Sequence, residues 1–208
     1  MKLAVITGGG ANFYSIEVAL QRMGVEYELT TDKNVINAAD GAILPGVGSA
    51  AYAMNELARH GLCDTLRNYK KPLLGICLGM QLLYESSEEG GDVKCLGILP
   101  GKIRKFIATA ELIVPQMGWN NFSKLQESAL LNEINLAKDV YFVHSYYAPV
   151  NQVTVAACDY GVKFAAMAAQ DNFYAMQFHP EKSGSVGEKL LANFIAIVQQ
   201  QAKFQIEQ

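Results

Sequence analysis

Pro72-Leu73-Leu74-Gly75-Ile76-Cys77-Leu78-Gly79-Met80-Gln81-Leu82-Leu83-Tyr84-Glu85 runs from a short apolar block straight into a longer one, with a cysteine between two glycines at the join. Residues 72–76 carry no polar side chain, the pattern of a strand covered on both faces. Residues 78–85 read as a helix. A strand that turns directly into a helix is the repeating half of an α/β fold, and the residues upstream repeat it. Residues 2–7 form a short apolar run closed by glycines, a strand. Residues 15–23 place Ile16, Ala19, Leu20 and Met23 at helical spacing, with Ser15 as N-cap and Gly24 as the stop. Residues 25–30 form a second strand and residues 42–44 a third, stopped by Pro45-Gly46. Residues 50–60 form a helix that ends at Gly61. This alternation predicts a mostly parallel open sheet with helices on both faces.

Downstream the pattern changes. Residues 102–107, 111–114, 141–147, 153–159, 164–170 and 173–178 all read as strands. The turns Cys158-Asp159-Tyr160-Gly161 and Gln170-Asp171-Asn172 suggest an antiparallel meander. Residues 187–203 close the chain as a helix. There is no internal repeat, low-complexity tract or linker, so residues 1–208 are expected to form a single α/β domain with an antiparallel extension.

Composition narrows the function. Half of the 208 residues are hydrophobic, 18% are charged and the formal net charge is −3, so a substantial core is available. No basic block marks a nucleic-acid surface, and the apolar runs are too short and interrupted to span a membrane. No signal-peptide pattern is present, which implies a cytoplasmic protein. Cys63, Cys77, Cys95 and Cys158 form no C-x-x-C pair and stand at no zinc-ligand spacing to histidine, so neither a metal nor a cofactor is called for.

In open α/β sheets, sites form beyond the carboxyl ends of the strands. Gly75-Ile76-Cys77-Leu78-Gly79 there has the nucleophile-elbow form with cysteine in place of serine. Small neighbours let the backbone turn sharply. The N-terminus of the following helix favours a thiolate, and the Leu78 N–H is placed for an oxyanion. His179 and Glu181, in Gln177-Phe178-His179-Pro180-Glu181, lie two apart on a segment that Pro180 is expected to hold extended. Side chains at that spacing share a face, so the carboxylate can orient the imidazole as a general base. Of the other two histidines, His60 lies at a helix end. His144 follows a strand but has no acid two residues away, which points to a structural or substrate-lining role. Pro45-Gly46-Val47-Gly48 follows the third strand, and its glycines allow Val47 to offer a second oxyanion N–H.

Cys77, His179 and Glu181, preceded by Pro45-Gly46-Val47-Gly48, resemble the class I (triad-type) glutamine amidotransferases, whose fold is flavodoxin-like. Gly75 to Leu83, Leu96-Gly97-Ile98-Leu99-Pro100-Gly101, Pro115-Gln116-Met117-Gly118-Trp119-Asn120, Phe142-Val143-His144-Ser145-Tyr146 and Gln177 to Gly184 are similar to the branch of that family that serves imidazole-ring formation in histidine biosynthesis. These blocks stand in family order and cover almost the whole chain. The resemblance implies that Cys77 forms a glutamyl thioester and His179 shuttles protons, with Leu78 and a reoriented Val47 making the oxyanion hole. It implies that Gly46, Gly48, Gln81, Glu89, Ser145 and Tyr146 surround the L-glutamine substrate. It also implies a heterodimer with a (β/α)8-barrel cyclase that receives the ammonia, with Asn12, Trp119, Tyr141 and Lys182 at or near the interface. The chain departs from the family pattern at Gln116, where His is usual, and at Thr7-Gly8-Gly9-Gly10, where Asp-x-Gly is usual. Three other readings stay open on the sequence: a glutaminase feeding an amidino-sugar synthase, a stand-alone cysteine hydrolase, and a catalytically silent docking subunit.

Overall fold

β1 (Lys2–Ile6) sends Leu3 and Val5 to one face of a sheet and Ala4 and Ile6 to the other, and all four are fully buried. Successive strand side chains point to opposite faces, so such a strand needs cover on both. The computed structural model, which describes residues 1–7 and 13–206, supplies that cover. On the Leu3 face lies α1 (Tyr14–Arg22), through Ile16, Ala19 and Leu20. β2 (Glu26–Thr30) follows, then α2 (Lys33–Ala38), whose Ile36 joins the opposite face. After β3 (Gly41–Gly46) come α3 (Ala50–Arg59) and α4 (Leu62–Arg67), which add Ala50, Ala53, Leu57, Leu62 and Leu66 to that second layer. β4 (Leu73–Cys77) then passes without a loop into α5 (Leu78–Leu83).

Several boundaries differ from the sequence reading, and three of them bear on the site. α1 starts before Ser15, so Phe13 takes the N-cap position and makes no side-chain capping bond. β3 does not stop at Pro45. Its pairing with β1 ends at Ile43, so proline has no ladder donor to lose on that side, while Pro45 and Gly46 still pair with Ile76 and Cys77 of β4. α5 is shorter than the apolar run suggested.

The second half begins with β5 (Ser86–Ser87), β6 (Val93–Lys94) and β7 (Lys102–Lys105), followed by β8 (Gln116–Asn120) and β9 (Ser123–Lys124). The strand expected over residues 111–114 is a turn instead. Thr109 Oγ1 accepts the N–H groups of Glu111 and Leu112, and Ile113 is exposed. The expected strand over residues 141–147 divides at Ser145 into β10 (Val140–His144), which pairs with β8, and β11 (Tyr146–Tyr147), which pairs with β7. The meander is β12 (Thr154–Asp159), β13 (Lys163–Gln170) and β14 (Phe173–Met176). α6 (Gly184–Ile206) closes the Leu3 face with Leu190, Leu191, Phe194 and Val198.

The main sheet has eight strands in the order β2-β1-β3-β4-β14-β13-β12-β9. β2, β1, β3, β4 and β14 are mutually parallel, and β13, β12 and β9 add antiparallel pairs at one edge. The meander therefore returns β14 to the parallel core beside β4. That adjacency carries His179 to the same sheet end as Cys77. Among the described residues no helix is long and apolar enough to cross a membrane, and no group of three His, Cys, Asp or Glu side chains could hold a metal.

Candidate active site

Cys77 has φ 54 and ψ −112, a left-handed conformation on a residue with a side chain. Such a conformation costs about 1–3 kcal/mol and persists only where the surroundings enforce it. Enforcement comes from the contact of α5 with β3: a Cβ on Gly79 would lie 1.7 Å from the Leu44 carbonyl oxygen. Only glycine lets the helix start this close to the sheet. Leu78, next along, is the first helical residue, and its amide has no intrahelical partner.

The His-Pro-Glu segment is fixed from both sides. The His179 N–H donates to the Tyr141 carbonyl at 2.9 Å, and Ser183 Oγ donates to the His179 carbonyl at 2.6 Å. A Cβ on Gly187 would lie 1.9 Å from the Pro180 carbonyl oxygen, so α6 seats directly on the segment. The segment is not extended throughout, as the sequence suggested. His179 is extended, but Pro180–Lys182 forms a 3-10 turn, and the turn brings the two side chains together. His179 Nδ1 lies 2.8 Å from Glu181 Oε1, and both side chains are almost wholly buried. Burial opposes a charge on His179, but Cys77 and Glu181 beside it outweigh that and push it up to about 10. Its Nε2, buried and without a hydrogen-bond partner among the described residues, is the ring atom left for chemistry. Cys77 Sγ is 3.9 Å from both the Val143 carbonyl and the Gln177 amide nitrogen.

Cys77 and His179 open onto one cavity of about 320 Å³. Val47, Gly48, Leu78, Gln81, Glu89, Ser145 and Tyr146 line it, together with Pro115, Val143 and His144. Gly46 and Glu181 stand behind it, in a small crevice that Val47 and His179 also line. Gly48 has φ +95, a conformation that suits glycine. Glu89 reaches the cavity from the segment after β5, and its Oε2 accepts the Ala50 N–H at the start of α3 at 2.6 Å. Gln81 Nε2 donates to the Tyr146 carbonyl and to Gln177 Oε1, both at 2.9 Å. Both its N–H groups are used, so Oε1 is what Gln81 can offer the cavity.

His144 also faces this cavity, yet it is built differently. Nδ1 lies 2.8 Å from the Tyr146 carbonyl and Nε2 3.0 Å from the Gln116 side chain, so neither nitrogen is free to act as a base. Burial, only partly offset by the Tyr146 carbonyl, pushes it down to about 4. Trp119 and Tyr141 pair across β8 and β10 with ring centroids 5.7 Å apart. Met117 and Trp119 are 65% and 58% exposed on the same face of β8, and Lys182 is exposed beside Glu181. Asn12 lies outside the described residues. The sequence reading assigned no role to Gln177, which is fully buried between Gln81 and Cys77, or to Ser183, whose Oγ also accepts the Tyr141 N–H at 2.9 Å. A glutamine inside the apolar run Phe173-Tyr174-Ala175-Met176-Gln177-Phe178 was the available signal for the first.

The glutamine amidotransferase class-I family matches residues 5–198. The chain belongs to the class I glutamine amidotransferases. Among the relatives of this amidotransferase, the imidazole glycerol phosphate synthase subunit HisH of Xylella fastidiosa is 48% identical over 194 residues, 93% of this chain and 96% of the relative. The protein of the same name from Xanthomonas euvesicatoria is 47% identical over 193 residues, with the same shares covered. Solved structures share the fold. A putative GMP synthase protein from Thermoplasma acidophilum superposes with a TM-score of 0.75 at 19% identity, covering 99% of this chain and 97% of that one. A second, described as a glutamine amidotransferase, gives 0.73 at 18% identity, covering 95% and 98%.

Proposed function

We propose that residues 1–208 act as one glutaminase domain, the ammonia-releasing subunit of an imidazole glycerol phosphate synthase in histidine biosynthesis. The observation that carries this reading is the convergence on one cavity of Cys77, of His179 with Glu181 behind it at 2.8 Å, and of the two acceptors Gln81 and Glu89. Cys77, its proton passed to His179, attacks the side-chain carboxamide carbon of L-glutamine. The Leu78 N–H, joined by that of Val47 after its peptide turns, receives the oxyanion. As the C–N bond breaks, His179 returns the proton to the leaving nitrogen, and ammonia departs from a glutamyl thioester. His179 then takes a proton from water, hydroxide attacks the thioester, and glutamate leaves as the thiol is restored. Glu181 holds the imidazole so that Nε2 does this work.

Gln81 Oε1 and the free oxygen of the Glu89 carboxylate both accept, which suits the substrate's α-ammonium. The backbone of Ser145 and Tyr146 would take its carboxylate. No metal or cofactor enters these steps. The partner is a (β/α)8-barrel cyclase in the cytoplasm, which would use the ammonia to form imidazole glycerol phosphate and an aminoimidazole carboxamide ribonucleotide. The exposed Met117 and Trp119 support docking at β8, beside Tyr141 and Lys182. Tyr141 is bonded through its backbone to both His179 and Ser183, which ties that face to the triad segment.

Glutamate release should be measured for the chain alone, with the cyclase and its nucleotide ligand, and with Cys77→Ala in place of the native chain. Low activity alone, a sharp rise in the mixture and loss in the variant are expected. A Cys77-dependent rate indifferent to the cyclase moves the chain to another pathway, such as amidino-sugar synthesis, or to stand-alone hydrolysis. Full function of Cys77→Ala in the complex makes it a docking subunit.

A further inference from the structure

His144 is enclosed by the rings of Phe106, Phe142 and Phe164, with centroids 5.4, 5.6 and 5.2 Å away. Each ring nitrogen has one polar neighbour. A backbone carbonyl can only accept, so the 2.8 Å contact with Tyr146 requires the proton on Nδ1. Nε2 then carries a lone pair, unless the ring is charged. A charged ring has little support here: it is buried, no carboxylate among the described residues adjoins it, and the titratable groups acting nearby are His179 and, beyond Gln116, the Cys158 thiol. Neutral His144 therefore needs a donor at Nε2, and the Gln116 side chain is the group 3.0 Å away.

We propose that Gln116 is a positioning residue: its amide N–H donates to His144 Nε2 and fixes the Nδ1–H tautomer that holds the Tyr146 carbonyl, and through it the Gln81 amide. Carboxamide oxygen and nitrogen are nearly isosteric, so a half-turn of the group exchanges Oε1 for Nε2 at the 3.0 Å position. The same half-turn sets Oε1 toward the Cys158 thiol. Burial pushes that thiol up to about 12, so it keeps its proton and can turn it from the Asp159 carbonyl, 3.8 Å away, to Oε1. Donors then run one way, from Gln116 through His144 to the Tyr146 carbonyl. That carbonyl also receives Gln81 Nε2, whose other N–H goes to Gln177 Oε1. Gln81 is left with only an acceptor to present. Its use for substrate ammonium rests on the glutaminase reading, whereas the tautomer does not.

Two-bond 1H–15N spectra of the full chain, labelled at histidine, read the tautomer with or without activity. His144 is expected to carry its proton on Nδ1 and to stay neutral as the pH falls to about 5. Gln116→Glu offers only acceptors when ionised, so it should draw a second proton onto His144 near neutral pH. In the cyclase complex, Gln116→Met should raise the glutamine KM about tenfold, the worth of one hydrogen bond, with kcat within about twofold. Gln116→His restores a donor and should recover most of the KM. An Nε2–H tautomer in the native chain, or a charged His144 at neutral pH, overturns the proposal. Native KM values in Gln116→Met, with the expected tautomer present, overturn the link to substrate binding. Absence of glutamate release from the native complex instead sinks the glutaminase reading, and the spectra still decide the role of Gln116.

Discussion

His179 and His144 line the same cavity, both are buried, and their surroundings push them in opposite directions, up to about 10 and down to about 4. Burial opposes charge at both. What separates them is what the ring nitrogens meet. His179 has a carboxylate at Nδ1 and the Cys77 side chain nearby, and both favour its protonated form. His144 has a carbonyl and a carboxamide among three phenyl rings. One ring is set to take up a proton, and the other is set to stay neutral. In this protein the partner decides a buried polar group's role more than the burial does.

Replacing each ring tests that contrast most strongly. His179→Asn should lower glutamate release by about 10³-fold or more, since it removes the proposed proton shuttle. His144→Asn should keep kcat within about tenfold and act mainly on KM, because a loosened Tyr146 carbonyl affects binding and not proton transfer. Equal kcat losses in the two variants would erase the distinction. A smaller effect is expected from Glu181→Gln, which keeps the shape but weakens the hold on Nδ1, with kcat falling about 10²-fold. That variant also has a stability signature. The pKa of His179 is raised above its ordinary 6.5, so its protonation stabilises the fold fully below about pH 6.5, and the contribution is lost as pH rises through about 10. The Tm deficit of Glu181→Gln against the native chain should therefore be larger at pH 6 than at pH 10. A deficit that grows with pH would contradict the pairing. The smallest effect concerns a buried polar group with no partner among the described residues. The Tyr84 hydroxyl is fully buried and unbonded, and Tyr84→Phe should leave stability unchanged or raise it by about 1 kcal/mol in urea unfolding. A marked loss of stability would mean that the hydroxyl has a partner.

The same principle explains what the sequence revealed. The parallel half was legible because its strands are apolar throughout and its turns are marked by glycine and proline. That Cys77, His179 and Glu181 would come together was legible because chemistry-bearing residues follow strands in recognisable local patterns. β8 was not, because its pattern is inverted: Gln116 is buried while Met117 and Trp119 are exposed, so a rule that places apolar side chains inside misreads it. α4 has only Leu62 and Leu66 buried and is too short for periodicity to register. Gln177 took its meaning from Gln81, 96 residues away, and no local window contains that partner. The His179–Glu181 contact was expected on an extended segment and arises from a 3-10 turn, so the pairing was legible and its geometry was not.

The most direct test of the triad is to stop turnover of glutamine by the native complex with acid and map the chain by mass spectrometry. A glutamyl adduct, equal to glutamine less ammonia, is expected on the peptide that contains Cys77 and should be absent from His179→Asn. An adduct on Cys63, Cys95 or Cys158, or one that forms equally in His179→Asn, would contradict the assignment of Cys77 and His179 as nucleophile and base.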